Sequence, residues 1–345
     1  MIIVAKLSKN EKFRYFVRFF KNINKRAVVH DMNCLYDNPD SFFVDHCGDE
    51  NMGKLILPLI ADRKDDGFWA LMRRVLAGLV YAEDNGMTPV AEFTLDVPYA
   101  QEPGFLGTDD PFEYYFMPLL PGDWRKSRAI VRTKGVSKGY SGDRLFVAYE
   151  KIEAKYGGEY GLSEEYTERL ADMWKKYIFF NDRTEKQVKD TPIIEKILEK
   201  KTLGVHVRGT DYNRGVSGHP VAVSESEHIL RAKKLLQDKG YEQVFLATDE
   251  QKTADAFRDE FGDSLIIYDD ILRSTDGNPV HLTEKERPEH RYLLGIEILK
   301  DSYALSECAG LVCGISQVSN GVRIMKKACG EKYEDVEIID RGLNL

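Results

Sequence analysis

From residue 203 to residue 325 the chain alternates short apolar runs with amphipathic stretches, and this alternation limits the available folds more than any other feature. Leu203, Val205 and Val207 have strand spacing. The stretch from Ser224 to Gly240 reads as a helix opened by a Ser-x-x-Glu capping box and stopped by a glycine. Residues 243–248 read as a strand, 251–261 as a helix with Ala254, Phe257 and Phe261 on one face, and 264–268 as a strand. A helix over 291–306, a strand over 310–314, a helix through Met325 and a strand-like 336–339 complete the series. Repeated βαβ units predict a parallel sheet with helices on both faces.

The first half is less regular. Residues 27–30 and 41–44 are candidate short strands between Asn/Asp/Gly/Pro turns. Asp65-Asp66-Gly67-Phe68 precedes a helix striped by Leu71, Val75, Leu79 and Ala82, and Thr88–Phe93 is the next strand. A glycine ahead of a helix lets backbone amides approach a ligand; the same acidic pair equally complements a helix dipole. Residues 98–143 are rich in Pro, Gly and aromatics, which suits irregular structure shaping a cleft, although any single aromatic reads first as core. Helices are expected over 163–180 and 191–200, with a crossing between halves near 181–200. The division expected is an acceptor-side domain over 1–195, a nucleotide-binding domain over 196–325, and a tail over 326–345 that packs back on the first domain.

Composition removes several function classes. Of 345 residues, 49 are Lys or Arg and 57 are Asp or Glu, so the net charge of −8 argues against nucleic acid as a partner. The five cysteines have irregular spacing and no CxxC, which reads as reduced thiols, not disulfides or a zinc site. No apolar run approaches the ~18 residues of a spanning helix, and the start of the chain lacks a secretory pattern. A cytoplasmic setting is expected. Residues 6–26 are basic, with Phe13, Phe16, Val17 and Phe20 on one helical face; this reads as a helix packed on the body, or as a weak peripheral contact with the inner face of a membrane.

Chemistry collects at three strand ends. His206, Arg208, Thr210 and Asp211 follow the strand at 203–207. Asp249 and Glu250 follow the strand at 243–248. Ser316, Gln317, Ser319 and Asn320 open a helix after 310–314, and Asp301 lies on the helix before them, opposite its apolar face. In open α/β sheets ligands bind outside the carboxyl ends of strands. An arginine fork and a helix N-terminus together suit a diphosphate and stabilise it as a leaving group. Taken singly, His206 reads equally as a core histidine and Asp249 as a helix cap. No metal-ligand set, P-loop or GxGxxG fingerprint is present, so no metal and no cofactor is expected.

His206-Val-Arg208-Gly-Thr210-Asp211, Phe245-Leu-Ala-Thr248-Asp249 and Leu311-Val-Cys-Gly-Ile-Ser316-Gln317 resemble the three sequential motifs of the α1,6-fucosyltransferase and protein O-fucosyltransferase superfamily. Asp66-Gly67-Phe68 with Arg73-Arg74 is a weaker echo of the donor-side loop in protein O-fucosyltransferases. The resemblance implies a GT-B architecture, two Rossmann-like domains facing across a cleft, and an inverting, metal-independent transfer of fucose from GDP-fucose to a glycan or lipid-linked acceptor. It implies that Arg208 grips the β-phosphate, that His206 and Asp301 recognise guanine, that Ser316 and Gln317 bind phosphate, that Asp249 orders the donor site and that Asp211 braces the arginine turn. The chain departs from the core α1,6 pattern at Gly209, where a second arginine is expected, and at Tyr212, where a lysine is. No carboxylate stands near Arg214-Gly215, so Asp66 is the substitute general base. The rival expectations are a non-catalytic nucleotide-sugar-binding protein and a transferase for another nucleotide sugar.

Overall fold

The computed structural model describes residues 42–133, 143–157, 160–210 and 217–344. The basic 6–26 segment, the strand expected at 27–30 and Asp211 lie outside the described residues.

Two sheets form, one from each half. The first contains β1 (Phe42–Asp45), β2 (Ile56–Ala61), β3 (Thr88–Phe93) and β4 (Ile130–Thr133) in the order β1-β4-β2-β3. β2 pairs parallel with β3 in the register Ile56↔Thr88, and β1 pairs antiparallel with β4. The second contains β5 (Thr202–Val207), β6 (Gln243–Thr248), β7 (Leu265–Ile266), β8 (Gly310–Gly314) and β9 (Asp335–Ile339). Its order is β7-β6-β5-β8-β9 and every pairing is parallel. All six residues of β5 and of β6 are buried, as strands covered on both faces must be.

The helices are α1 (Phe68–Asp84), α2 (Asp143–Tyr156), α3 (Glu164–Tyr177), α4 (Asp182–Val188), α5 (Pro192–Glu199), α6 (Glu225–Lys239), α7 (Gln251–Phe261), α8 (His290–Glu307) and α9 (Gln317–Ala328). Most begin as their caps dictate. Ser163, Asn181 and Thr191 each accept a hydrogen bond from a first-turn amide, and Gly240 ends α6 in the left-handed region. The box expected at Ser224 is half formed. Ser224 Oγ accepts from Glu227 N at 3.3 Å, but the Glu227 carboxylate pairs with Arg341 at 2.7 and 2.8 Å. The reciprocal box is at Ser316 and Ser319, at the start of α9.

One apolar cluster runs from the first sheet through α1, α3, α8 and α9 to one face of the second sheet; a separate cluster fills the other face beneath α6. The halves therefore share a core. Trp69 of α1 is its rivet: the indole stacks on Trp174 at 5.2 Å and its Nε1 donates to Ser302 Oγ at 2.7 Å. Burying one such side chain contributes roughly 1.5–3 kcal/mol.

Three expectations are corrected. The tail packs chiefly on the second half: β9 adds to β8 as an edge strand of the second sheet, in the register Gly310↔Asp335 to Gly314↔Ile339, while Lys327 reaches the first half and pairs with Glu164 and Glu168. Asp301 does not face away from apolar surroundings. Helix α8 is covered on all sides, and Asp301 is 6% exposed. The region 98–143 is largely irregular, but β4 and the start of α2 lie within it. No helix among the described residues is long and apolar enough to cross a membrane.

Candidate functional site

The strand order of the second sheet reverses at the β5–β8 boundary, since β6 and β7 extend to one side of β5 and β8 and β9 to the other. Crossover connections leave in opposite directions there, opening a crevice at the carboxyl ends of the two strands. A cavity of about 380 Å³ occupies that place. Its wall includes His206 and Arg208 after β5, Thr248 and Asp249 after β6, Ser316 and Gln317 after β8, Glu297 and Asp301 of α8, and Arg63, Asp65, Asp66, Gly67, Arg74 and Tyr99 of the first half. The volume lies within the roughly 300–1,000 Å³ of small-molecule sites.

Arg208 is held by Asp249, Nη1 to Oδ2 at 2.7 Å, with both side chains at the cavity surface. Asp249 also accepts from Gly209 N at 2.9 Å through Oδ1 and from Thr210 Oγ1 at 2.8 Å through Oδ2. Its carboxylate ties down the turn after β5 and aims the guanidinium. It does not cap α7, whose N-cap is Glu250. A side chain at Gly209 would place Cβ 2.8 Å from Glu250 Oε2 and 2.9 Å from Glu250 Cβ, so the second arginine that the motif resemblance leads one to expect would require the Glu250 side chain to shift.

The far wall holds two buried polar atoms with no hydrogen-bond partner among the described residues, His206 Nδ1 and Asp301 Oδ1. Burial lowers the His206 pKa to about 3, so the ring is neutral. Burial raises the Asp301 pKa to about 8, against the smaller pull of Arg273 and Lys300 and with the push of Glu297 and Asp270. Those neighbours are engaged elsewhere. Glu297 takes two bonds from Arg287 at 2.5 and 3.1 Å, Lys300 pairs with Asp270 at 2.5 Å, and Arg273 donates to Tyr268 O at 2.6 Å. A buried polar atom left unbonded costs about 1–3 kcal/mol, which a ligand with matching groups removes.

Ser316 and Ser319 serve the helix itself. Ser316 Oγ accepts from Ser319 N at 3.0 Å, and Ser316 N donates to Ser319 Oγ at 2.9 Å. Asn320 is committed to Tyr160 O at 2.9 Å. The positive end of α9 reaches the cavity at Ser316, Gln317 and Val318.

Asp66 lies on the opposite wall, ion-paired with Arg74 (Oδ2 to Nε, 3.0 Å) and near Arg63 Nε at 3.8 Å. Sequence reasoning passed over Tyr99, which is buried. Its hydroxyl accepts from Phe68 N at 2.6 Å, and it lies within electrostatic reach of both Arg208 and Asp66. It also passed over His281, whose Nε2 is 3.3 Å from Asp65 O. Tyr99 reaches the wall from an irregular loop and His281 from a single 3-10 turn, Val280–Leu282.

No family model matches the chain, and no curated protein does. Among solved structures it is similar to NodZ alpha-1,6-fucosyltransferase soaked with GDP-fucose, at 14% identity over 79% of this chain and 92% of that one, with a TM-score of 0.48. It is also similar to POFUT1 in complex with GDP-fucose, at 11% identity over 85% of this chain and 99% of that one, with a TM-score of 0.48. At this level of similarity nothing about the site is transferred from them.

Proposed function

We propose that the chain is an inverting glycosyltransferase of GT-B type that moves fucose from GDP-fucose to a glycan acceptor. The observation that carries this reading is the placement of Arg208, a guanidinium aimed by Asp249 into a cavity at the switch point of a parallel sheet. In the reaction an acceptor oxygen attacks the anomeric carbon, the bond from that carbon to the β-phosphate oxygen breaks, and GDP departs. Negative charge grows on the diphosphate as that bond lengthens. Arg208 and the N-terminal end of α9 supply the opposing charge in place, so the reading assigns no metal and no cofactor. The two α/β halves are the donor and acceptor sides.

Guanine suits the far wall. Its ring N–H and exocyclic amine are adjacent donors that one carboxylate can accept together, and Asp301 Oδ1 needs a donor. In the free protein Asp301 binds its proton up to about pH 8, against an ordinary value of 3.8. Folded protein thus holds more protons than unfolded protein between those values. The stabilising contribution is complete below pH 3.8 and is lost as pH rises through 8. Binding guanine in the ionised form releases that proton, so GDP affinity should rise with pH from 6 to 8, by at most about tenfold per unit. Asp301→Asn should flatten both the affinity profile and this part of the stability profile. Calorimetric titration of GDP across that range checks it, and an unchanged slope in the variant would remove guanine from this wall.

The acceptor proton needs a base within hydrogen-bond reach. Asp66 is the carboxylate assigned, oriented by Arg74 and Arg63. Asp66→Asn should lower kcat by roughly 10²–10⁴-fold with donor affinity preserved; turnover at the native rate would move the base role to His281 or to His219, which also lines the cavity. The reading as a whole is tested by a thermal-shift panel of GDP-fucose, GDP-mannose, UDP-N-acetylglucosamine and free GDP, since a specific ligand raises the melting temperature by mass action. GDP-fucose and GDP should shift the curve. A shift with the UDP-sugar alone would favour another donor. A shift with GDP-fucose but no sugar release with any acceptor or water would favour a binding protein.

A further inference from the structure

The hydroxyl of Tyr99 is only half used. A phenol has one proton to donate and an oxygen that accepts. The oxygen is taken by Phe68 N, the first amide of α1, at 2.6 Å. The proton has no acceptor among the described residues. Burial pushes the hydroxyl pKa up from 10, so the proton stays in place near neutral pH. The side chain is also fixed. Tyr99 is 3% exposed and meets the Phe68 ring edge-on at 5.2 Å, and Phe68 is in turn edge-on to Tyr115 at 5.3 Å and to Phe93 at 6.4 Å.

Tyr99 lines the cavity together with Gly67, Phe68, Trp69 and Ala70, the N-terminal end of α1. That end has no side-chain cap and no acidic residue in its first turn. Its positive potential therefore falls on the Tyr99 oxygen, and a hydroxyl that accepts from such a group is polarised to donate more strongly. A buried proton without an acceptor is unfavourable, and a bound molecule that brings an oxygen to it relieves that penalty.

The two charged neighbours of Tyr99 indicate which part of a ligand this is. The residue lies within electrostatic reach of both Arg208 and Asp66. Under the proposed function Arg208 meets the β-phosphate and Asp66 meets the acceptor oxygen, so the group between them is the sugar in transfer. The ring oxygen of that sugar gains positive charge as the anomeric bond breaks and would repel a donor. The sugar hydroxyls keep their lone pairs available.

We propose that Tyr99 determines donor specificity by donating its phenolic proton to a hydroxyl oxygen of the transferred sugar. The proposal rests on the nucleotide-sugar reading given above, and it assigns a contact with the sugar to the first half of the chain.

The test measures affinities for GDP, GDP-fucose and the 2-, 3- and 4-deoxy forms of GDP-fucose by calorimetry. Wild-type protein should bind at least one deoxy donor roughly tenfold more weakly than GDP-fucose, the scale of one hydrogen bond whose partner is left unmatched. Tyr99→Phe should weaken GDP-fucose by a similar factor, leave GDP unchanged, and bind that deoxy donor no worse than the wild type does. The same variant strips Phe68 N of its acceptor, so its melting temperature should fall. Replacing Tyr99 with 4-aminophenylalanine separates the two effects, because an aniline N–H donates while its nitrogen accepts poorly. This variant should recover the preference for GDP-fucose over the deoxy donor without recovering the melting temperature. Equal weakening of GDP and GDP-fucose in Tyr99→Phe, or further loss on all three deoxy donors, would overturn the proposal. If neither variant folds, the wild-type series decides: three deoxy donors that bind as tightly as GDP-fucose would overturn the proposal. A wild-type protein that binds no GDP would instead overturn the nucleotide reading, and that control tells the two failures apart.

Discussion

Arg208→Ala is expected to reduce transfer from GDP-fucose by roughly 10³-fold, since preorganised charges at a leaving group contribute on that order. The effect should fall on kcat more than on guanosine affinity, because the guanidinium meets charge that is largest in the transition state. The fold should survive. Asp249 keeps its bonds from Gly209 N and Thr210 Oγ1, so the turn after β5 retains its tether when the guanidinium is removed. Arg208→Lys should recover only part of the rate, as an ammonium lacks the planar fork that matches two phosphate oxygens. Single-turnover rates with both variants, beside their melting curves, are the measurement. Wild-type turnover in Arg208→Ala would end the mechanism; a collapsed melting curve would move the residue from chemistry to folding.

The second large effect concerns the joint between the halves. Gly321 lies inside α9, where alanine is worth about 1 kcal/mol more than glycine by helix propensity. Propensity alone therefore predicts that Gly321→Ala stabilises. The packing predicts the reverse, because a Cβ at this position would lie 2.1 Å from Trp69 Cδ2. Overpacking of this kind costs about 1–3 kcal/mol, and the Trp69 ring is held by Trp174 and Ser302. Gly321→Ala is expected to lower the denaturation midpoint. In a Trp69→Ala background the same substitution should raise it, as the obstacle is gone and propensity remains. A rise in both backgrounds would show that α1 and α9 do not meet as closely as described, and would loosen the site that both helices border.

Much of the second half was legible because its information is local. Leu203, Val205 and Val207 repeat with the period of a strand, and Gly240 marks where a helix must stop, whatever packs against them. The three strand ends carrying His206, Arg208, Asp249, Ser316 and Gln317 followed from that alternation, and all five residues line one cavity. The same local signal was present and passed over for α2, where Tyr149, Ile152 and Tyr156 recur at helical spacing, and for β2 within the apolar run Leu55–Ala61. Glu153 of that helix is the partner of Arg73.

The sequence by itself determined where strands and helices alternate, where caps start them, and which polar residues gather at the ends of strands, because backbone periodicity and turn chemistry depend on near neighbours. Only the tertiary structure decided that Asp301 is buried, that Tyr99 reaches the cavity, that the last strand joins the second sheet and that Arg73 reaches Gln317. Each of these depends on what a distant segment lays over a side chain. The burial of a charge is set by that covering surface, and the period of the helix bearing the charge does not reveal it.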